Sequence, residues 1–404
     1  MSASTRNDAD QRLLAGRSCA VCGRPFAAPV LRSTGSSSLT SLCTLVPQRT
    51  VVDQCTYCAH LQTPSMDDLD DYYSSSYRIL IESEEEDQIY AVVDGEPRYR
   101  SQHQAEVLLD TLALADGARV LDYGAAKGAT MRLVGERRPD VVAHFFDVSD
   151  MYVDFWRSFV PAEQFATYEL PPSWLGSFDA VVSFFMLEHV AAPAEVVGAM
   201  AATLAPGGVL YAIVPNPFTN IADVVVVDHV NHFTRPSLAL LLESAGLTNV
   251  EIDEAGHDGA WIATARRPAA SDGADPDVLP SPDADEVAAA LSAGSELAAY
   301  WAGVAAHIGG VEAAVAGRPA AVYGAGFYGA FIRSNLARPE AIVVYVDQNP
   351  FLQGGVHLER QVVAPENLPA DVHDVYVGLN PRVARSAVEG ITVWADRELR
   401  FHYL

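Results

Sequence analysis

The chain has no cysteine after Cys58; all five lie between positions 19 and 58. A disulfide framework spread over a secreted fold would not cluster this way, so the cysteines read as one local device. No apolar run reaches the roughly 20 residues that span a bilayer, and a membrane protein is not expected. The N-terminal MSASTRNDADQRLL lacks the apolar centre of a secretory leader, so a cytoplasmic location is the expectation. Basic residues are scarce: 26 Lys and Arg face 52 Asp and Glu, a formal net charge of -26. No Lys/Arg cluster is visible. Such a surface repels a phosphate backbone, and nucleic acid is not the expected partner. An anionic small molecule would need backbone N–H groups or a few arginines.

What is present is the composition of a folded protein. Of the 404 residues, 50% are hydrophobic and only 19% charged, enough for two to four domains with their own cores. Cys19-Ala-Val-Cys22 and Cys55-Thr-Tyr-Cys58 are two C-x-x-C pairs. Each fits a tight knuckle that aims two thiolates at one ion, and two knuckles complete a tetrahedron. Residues 1–65 are therefore expected to be a zinc module, with Cys19, Cys22, Cys55 and Cys58 as ligands of a closed, structural site. Gly23 suits the turn after the first pair. Cys43 is left over and reads as a small buried apolar residue.

After the tyrosine-rich DDYYSSSYRIL and the acidic ESEEEDQ, a helix is expected from about residue 102 to Gly117. Strands and helices then alternate in the manner of a doubly wound α/β domain, assigned to 66–267. The Pro-, Asp- and Ser-rich residues 268–284 read as a linker. An alanine-rich helix, about 285–316, opens a second α/β domain, Rossmann-like, over 285–404.

In the central domain, Asp122-Tyr-Gly124-Ala-Ala-Lys-Gly128 stands where a strand gives way to a helix. Ligands of open α/β sheets bind outside the carboxyl ends of the strands, and glycines there let the backbone approach them. Asp147 ends the next strand, where an acid can accept both hydroxyls of a ribose. These residues, with FFDVS, FDAVVSFFMLEHV and LAPGGVLYAIVPN in order, resemble class I S-adenosylmethionine-dependent methyltransferases over roughly 118–265. The resemblance implies that Asp122 and Gly124 lie beside the methionine portion of the cofactor, with Gly128 letting the backbone approach it. It also implies that Asp147 holds the ribose diol and Glu169 the adenine edge. Ala126 departs from the family's central glycine. A doubly wound domain with no cofactor, or with a nicotinamide one, is the bland alternative.

Near residue 230, VVVVDHVNHFTRP delivers an acid and two imidazoles at the end of a strand-like run. Removing a proton beside a ketone needs a base near neutral pKa and a donor for the enolate oxygen. His229 fits the base and Asp228 the carboxylate that orients it, provided a loop lets these neighbours meet. His189, after FDAVVSFFMLEHV, falls on the ligand-binding edge, and Tyr72, Tyr73 or Tyr77 can supply the donor, Tyr77 foremost. The order of zinc module, methyltransferase and C-terminal α/β unit resembles the nucleotide-deoxysugar C-methyltransferases of deoxysugar and antibiotic biosynthesis. That resemblance implies carbon methylation beside the ketone of a nucleotide-activated sugar, with Asp228-His229 as the catalytic pair. The family's pair carries Glu where this chain has Asp, its tyrosine-rich segment is poorly matched by YYSSSYR, and ESEEEDQIYAVVDGEP reads as an insertion.

Gly324-Ala-Gly326-Phe-Tyr-Gly329, followed by Asp347, is by itself a dinucleotide fingerprint. The resemblance implies instead a domain that encloses the substrate, its glycines serving strand–helix packing. O- or N-methylation of a sugar or another small metabolite is the second enzymatic reading. A zinc-containing binding protein on a methyltransferase scaffold is a third, and an oxidoreductase a fourth. A monomer acting on a small molecule is the working expectation.

Overall fold

A computed structural model describes residues 17–35, 37–66, 87–93, 95–269 and 280–404. The chain forms two compact units that are not contiguous in sequence. One comprises Met1–Ala27, Gln54–Asp223 and Val230–Ala293; the other comprises Ala28–Asp53, Val224–His229 and Gly294–Leu404.

The first unit is built on seven strands: β1 (Arg119–Tyr123), β2 (Val142–Asp147), β3 (Phe165–Thr167), β4 (Phe178–Phe184), β5 (Leu204–Pro215), β6 (Thr248–Asp253) and β7 (Ala260–Arg266). Their order is β3-β2-β1-β4-β5-β7-β6. β1 to β5 run parallel, and β7 is antiparallel to both β5 and β6. The central strands are apolar without interruption because both faces are covered. Leu121, Val181, Leu210 and Val214 cluster with Val197 and Met200 of α3 (Pro193–Thr203) and with Leu238 and Leu241 of α4 (Arg235–Ser244). Their neighbours Val120, Val182, Tyr211 and Ile213 point the other way. They meet Ala105 and Leu108 of α1 (Arg100–Thr111) and Met131 and Val134 of α2 (Ala129–Arg137).

Three local expectations change. The helix expected to reach Gly117 ends at Thr111, because Leu112 turns extended (φ -102°) and is buried in the core. The strand after LAPGG includes those residues: Phe178 pairs with Leu204 and Ala180 with Val209, and the chain between bulges at left-handed Gly207. The valine run is no strand. Asp223–Val225 is a 3-10 turn, and Val226 makes one isolated bridge to Leu39. α4 is closed at both ends: Thr234 accepts from the Ser237 N–H at its start, and left-handed Gly246 follows its end.

The long helix α5 (Ala284–Val315) matches the alanine-rich segment. The second unit then holds β8 (Ala320–Tyr323), α6 (Phe327–Asn335), β9 (Ile342–Val346), β10 (Val356–His357), β11 (Arg360–Val363), β12 (Asp374–Val377) and β13 (Arg400–Tyr403). The sheet order is β10-β11-β9-β8-β12-β13, parallel except for the β10–β11 pair. Its glycines interlock. A Cβ on Gly329 would stand 2.0 Å from the Gly324 carbonyl oxygen, and one on Gly378 2.6 Å from the Gly329 Cα. At the start of β12, Asp374 is 1% exposed and accepts from Arg400, His402 and Arg318.

Gly329→Ala is expected to destabilise the protein by about 1–3 kcal/mol, since the clash is with backbone that no rotamer change relieves; chemical denaturation measures it. The Arg400 guanidinium, then His402 and Arg318, hold the Asp374 carboxyl well below its ordinary range against burial. That stability is present above the unfolded carboxylate pKa of about 4 and is lost as pH falls towards the depressed folded value. The melting temperature of Asp374→Asn is therefore expected to lie below wild type at pH 7, with the gap narrower at pH 3.

Candidate functional site

Strand order reverses between β1 and β4, so the connections after them part and leave a crevice at their carboxyl ends. The turn from Gly124 to Gly128 occupies this edge. Gly124 (φ 75°) and Gly128 (φ 72°) are left-handed. A Cβ would meet Met186 Cγ at 2.4 Å from Gly124 and Phe145 Cε1 at 2.7 Å from Gly128. Ala126 is left-handed as well (φ 46°), which costs a residue with a Cβ about 1–2 kcal/mol. Two bonds hold it there. Its N–H donates to Asp147 Oδ2 at 2.9 Å, and its carbonyl accepts from Trp156 Nε1 at 2.8 Å. A hydrogen bond to a carboxylate is worth about 1.5–3 kcal/mol, enough to offset the strain. The departure from glycine is thus accommodated inside the turn.

Asp147 also accepts from the Ser149 N–H at 3.1 Å, so each of its oxygens already serves the backbone and keeps lone pairs for further donors. Burial pushes its carboxyl up, and the N–H groups of Ala126, Ser149 and Val148 pull the other way. Asp122, the fourth residue of β1, is 2% exposed, and its Oδ1 has no hydrogen-bond partner among the described residues. Burial first, and then the charge of Asp147, push its carboxyl well above the usual range. A buried acceptor with no donor calls for a ligand or water to complete it. The glycine cradle and this orphaned oxygen fit the amino-acid end of S-adenosylmethionine. Glu169 is exposed two residues beyond β3, next to left-handed Tyr168.

His189 closes a 3-10 turn after β4, its N–H donating to the Met186 carbonyl at 3.0 Å, on the same edge. Asp228 and His229 belong to the second unit. Both Asp228 oxygens accept from Ser41, from its N–H at 2.7 Å and its hydroxyl at 2.6 Å. Tyr72, Tyr73 and Tyr77 lie outside the described residues.

Two constellations escaped the sequence reading. Asp223 Oδ2 accepts from His232 Nδ1 at 2.6 Å, and His232 Nε2 meets Thr63 Oγ1 at 3.0 Å, with His232 wholly buried. This joins the second cysteine knuckle to the segment before α4, where His232 pairs with Leu61 across two short strands. The second lies at the loop between β6 and β7. Tyr90 stacks on His103 with centroids 3.9 Å apart, and His257 stands 5.2 Å from both His103 and Phe185. Burial lowers His257 to about 4, so it is neutral near pH 7. Positions 90, 103 and 257 share no motif, and no sequence signal links them.

The four cysteines converge. Cys19 and Cys58 sulfurs are 3.6 Å apart, Cys22 and Cys55 3.5 Å, and Cys22 and Cys58 3.8 Å. Four thiolates about 2.3 Å from one zinc ion stand about 3.8 Å apart along the tetrahedron's edges, so the set is compatible with zinc. The two knuckles match: left-handed Gly23 and Ala59 follow their first cysteines by four, and each N–H donates to that cysteine's carbonyl, at 2.8 and 2.9 Å. Cys43 stays apart, half-buried and left-handed (φ 57°) in a turn of the second unit rather than buried in a core. One equivalent of zinc is expected in purified protein by elemental analysis. Cys55→Ser should lower that content and the melting temperature together.

Residues 98–252, which span α1 to most of β6, match a family model described as a methyltransferase domain. No curated protein sequence matches the chain. Among solved structures, an S-adenosylmethionine-dependent methyltransferase from Mesorhizobium loti overlaps 41% of this chain and 98% of its own, at 17% identity and a TM-score of 0.34. An O-methyltransferase family protein from Burkholderia thailandensis overlaps 42% and 57%, at 20% identity and 0.34. Human N-acetylserotonin methyltransferase, in complex with its cofactor, overlaps 41% and 52%, at 19% identity and 0.35. Overlaps this loose add nothing to the assignment, which rests on the family match and on the site. Residues 98–252 thus carry a methyltransferase domain, built on a doubly wound α/β sheet.

Proposed function

We propose that the enzyme methylates the carbon beside the ketone of a nucleotide-linked keto-deoxysugar, a step of deoxysugar biosynthesis. Methyl transfer is carried by the family match around a glycine turn flanked by Asp122 and Asp147. The sugar-carbon reading is supported by the sequence: two C-x-x-C pairs, methyltransferase motifs and a C-terminal α/β unit follow the order of that family, with Asp228-His229 at its acid–His position.

Asp122, Gly124 and Gly128 hold the amino-acid end of S-adenosylmethionine in this reading, Asp147 accepts from the ribose diol, and Glu169 serves the adenine edge. The cofactor, when bound, supplies a methyl group on a sulfonium and departs as the thioether. Neutral His229 takes the proton from the carbon beside the ketone onto a ring nitrogen, and the electron pair stays in the enolate. The Asp228 carboxylate, oriented by Ser41, stabilises the imidazolium that forms. His189 and Tyr77 donate to the enolate oxygen. The four cysteines would hold a structural zinc ion.

Incubation of a nucleotide-linked 4-keto-6-deoxyhexose in deuterated buffer without methyl donor should exchange the proton beside the ketone. His229→Ala should abolish that exchange and leave S-adenosylhomocysteine affinity within about twofold. Methylation at oxygen, with no exchange in wild type, overturns the carbon reading. By calorimetry, Asp147→Ala should weaken S-adenosylhomocysteine about tenfold or more, because two charge-assisted bonds are lost. Glu169→Ala, at an exposed position, should cost less than about threefold.

A further inference from the structure

Three buried polar atoms in the second unit have no hydrogen-bond partner among the described residues: Arg333 Nε on α6, Tyr345 Oη on β9 and His357 Nε2 on β10. They belong together. The Tyr345 and His357 rings meet edge to face, 4.7 Å apart. Arg333 and Arg360 both pull on the Tyr345 hydroxyl, opposing the upward push of burial. β9, β11 and β10 are successive neighbours in the sheet, so Tyr345, Arg360 and His357 come from adjoining strands. Tyr345 is 0% exposed, and a buried hydroxyl with no bond is a rare and costly feature.

Charge makes the cluster more unusual. The chain has twice as many acids as bases, 52 against 26. Yet among the described residues neither Arg333 nor Arg360 has a carboxylate within ion-pairing distance. Arg360 is anchored by the carbonyls of Ile342 (2.7 Å) and Glu359 (3.2 Å). Glu340 and Glu359 are the acids whose fields reach Arg333, and Asp347 the one that reaches His357. Asp347 is already engaged by the N–H groups of Ala325 and Asn349, both at 2.8 Å.

We propose that Arg333, Tyr345, His357 and Arg360 form an anion site that takes a phosphate group. Every group can donate: a guanidinium fork, a phenol O–H, and an imidazole N–H in the tautomer protonated at Nε2. A cation is repelled by two guanidiniums, and an apolar ligand leaves the hydroxyl unsatisfied. Donors arriving from a helix and from separate strands suit oxygens set tetrahedrally better than the two coplanar oxygens of a carboxylate. The phosphate can be free or can belong to a nucleotide. The inference does not depend on the methyl acceptor, and either can fail alone.

Calorimetry on the full chain at low ionic strength, with inorganic phosphate, inorganic diphosphate and thymidine diphosphate in separate titrations, tests it. At least one should bind at roughly millimolar affinity or better. Arg333→Gln should weaken that binding tenfold or more, Arg333→Lys should recover part of it, and Tyr345→Phe should weaken it severalfold. Phosphate binding alone identifies a free-ion site; preference for thymidine diphosphate, lost in Arg333→Gln, identifies a nucleotide. No binding by any of the three, or binding equal in wild type and Arg333→Gln, overturns the proposal and leaves a site filled by water. Far-ultraviolet dichroism and melting of each variant separate a lost site from a lost fold.

Discussion

The bond from the Ala126 N–H to the carboxylate of Asp147 holds the candidate site in shape. It ties the turn after β1 to the end of β2, and the Gly124 and Ala125 N–H groups reinforce it by donating to the Phe146 carbonyl, at 2.8 and 3.0 Å. An acid placed there does two things. It offsets the strain of a left-handed alanine, and it raises the cost of ionising Asp122 alongside it. Two acids close together in a buried edge resist carrying two charges, so a positively charged ligand is favoured between them. A sulfonium cofactor with an ammonium group suits that electrostatic setting.

The same lock recurs in the second unit with a different outcome. Asp347 accepts from the Ala325 N–H as Asp147 does from Ala126, and the Gly324 N–H donates to the Val346 carbonyl as Gly124 does to Phe146. In the first unit the glycines face the side chains of Met186 and Phe145, which can shift. In the second, Gly324 faces the backbone of Gly378 and Gly329 that of Gly324, at distances where no side chain fits. One turn keeps room that movable side chains can yield to a ligand. The other spends Gly324 and Gly329 on close strand–helix packing, and the unsatisfied polar groups of its unit lie elsewhere, around Tyr345.

Buried polar pairs carry much of the remaining specificity. Asp223 with His232, and Asp228 with Ser41, are satisfied inside the protein. Such pairs contribute little net stability but penalise any arrangement that breaks them. The acid and two imidazoles of the valine-rich stretch are therefore divided: His232 is engaged with an acid nine residues before it, whereas Asp228 is oriented by a serine far earlier in the chain.

The sequence by itself determined the cysteine knuckles, the glycine turns, the acids that end the following strands, the capped helix before Gly246 and the alternation that makes an α/β sheet. Each is local: spacing, turn chemistry and period act within a few residues of the chain. Tertiary structure alone decided the end of α1 at Leu112, which core burial pulls extended against its helical period. It also decided the Asp223–His232–Thr63 chain, the Tyr90–His103–His257 stack and the cluster around Tyr345. Those groups come from distant segments, and their contacts depend on which strands are neighbours and which faces meet, information that no short window of sequence contains.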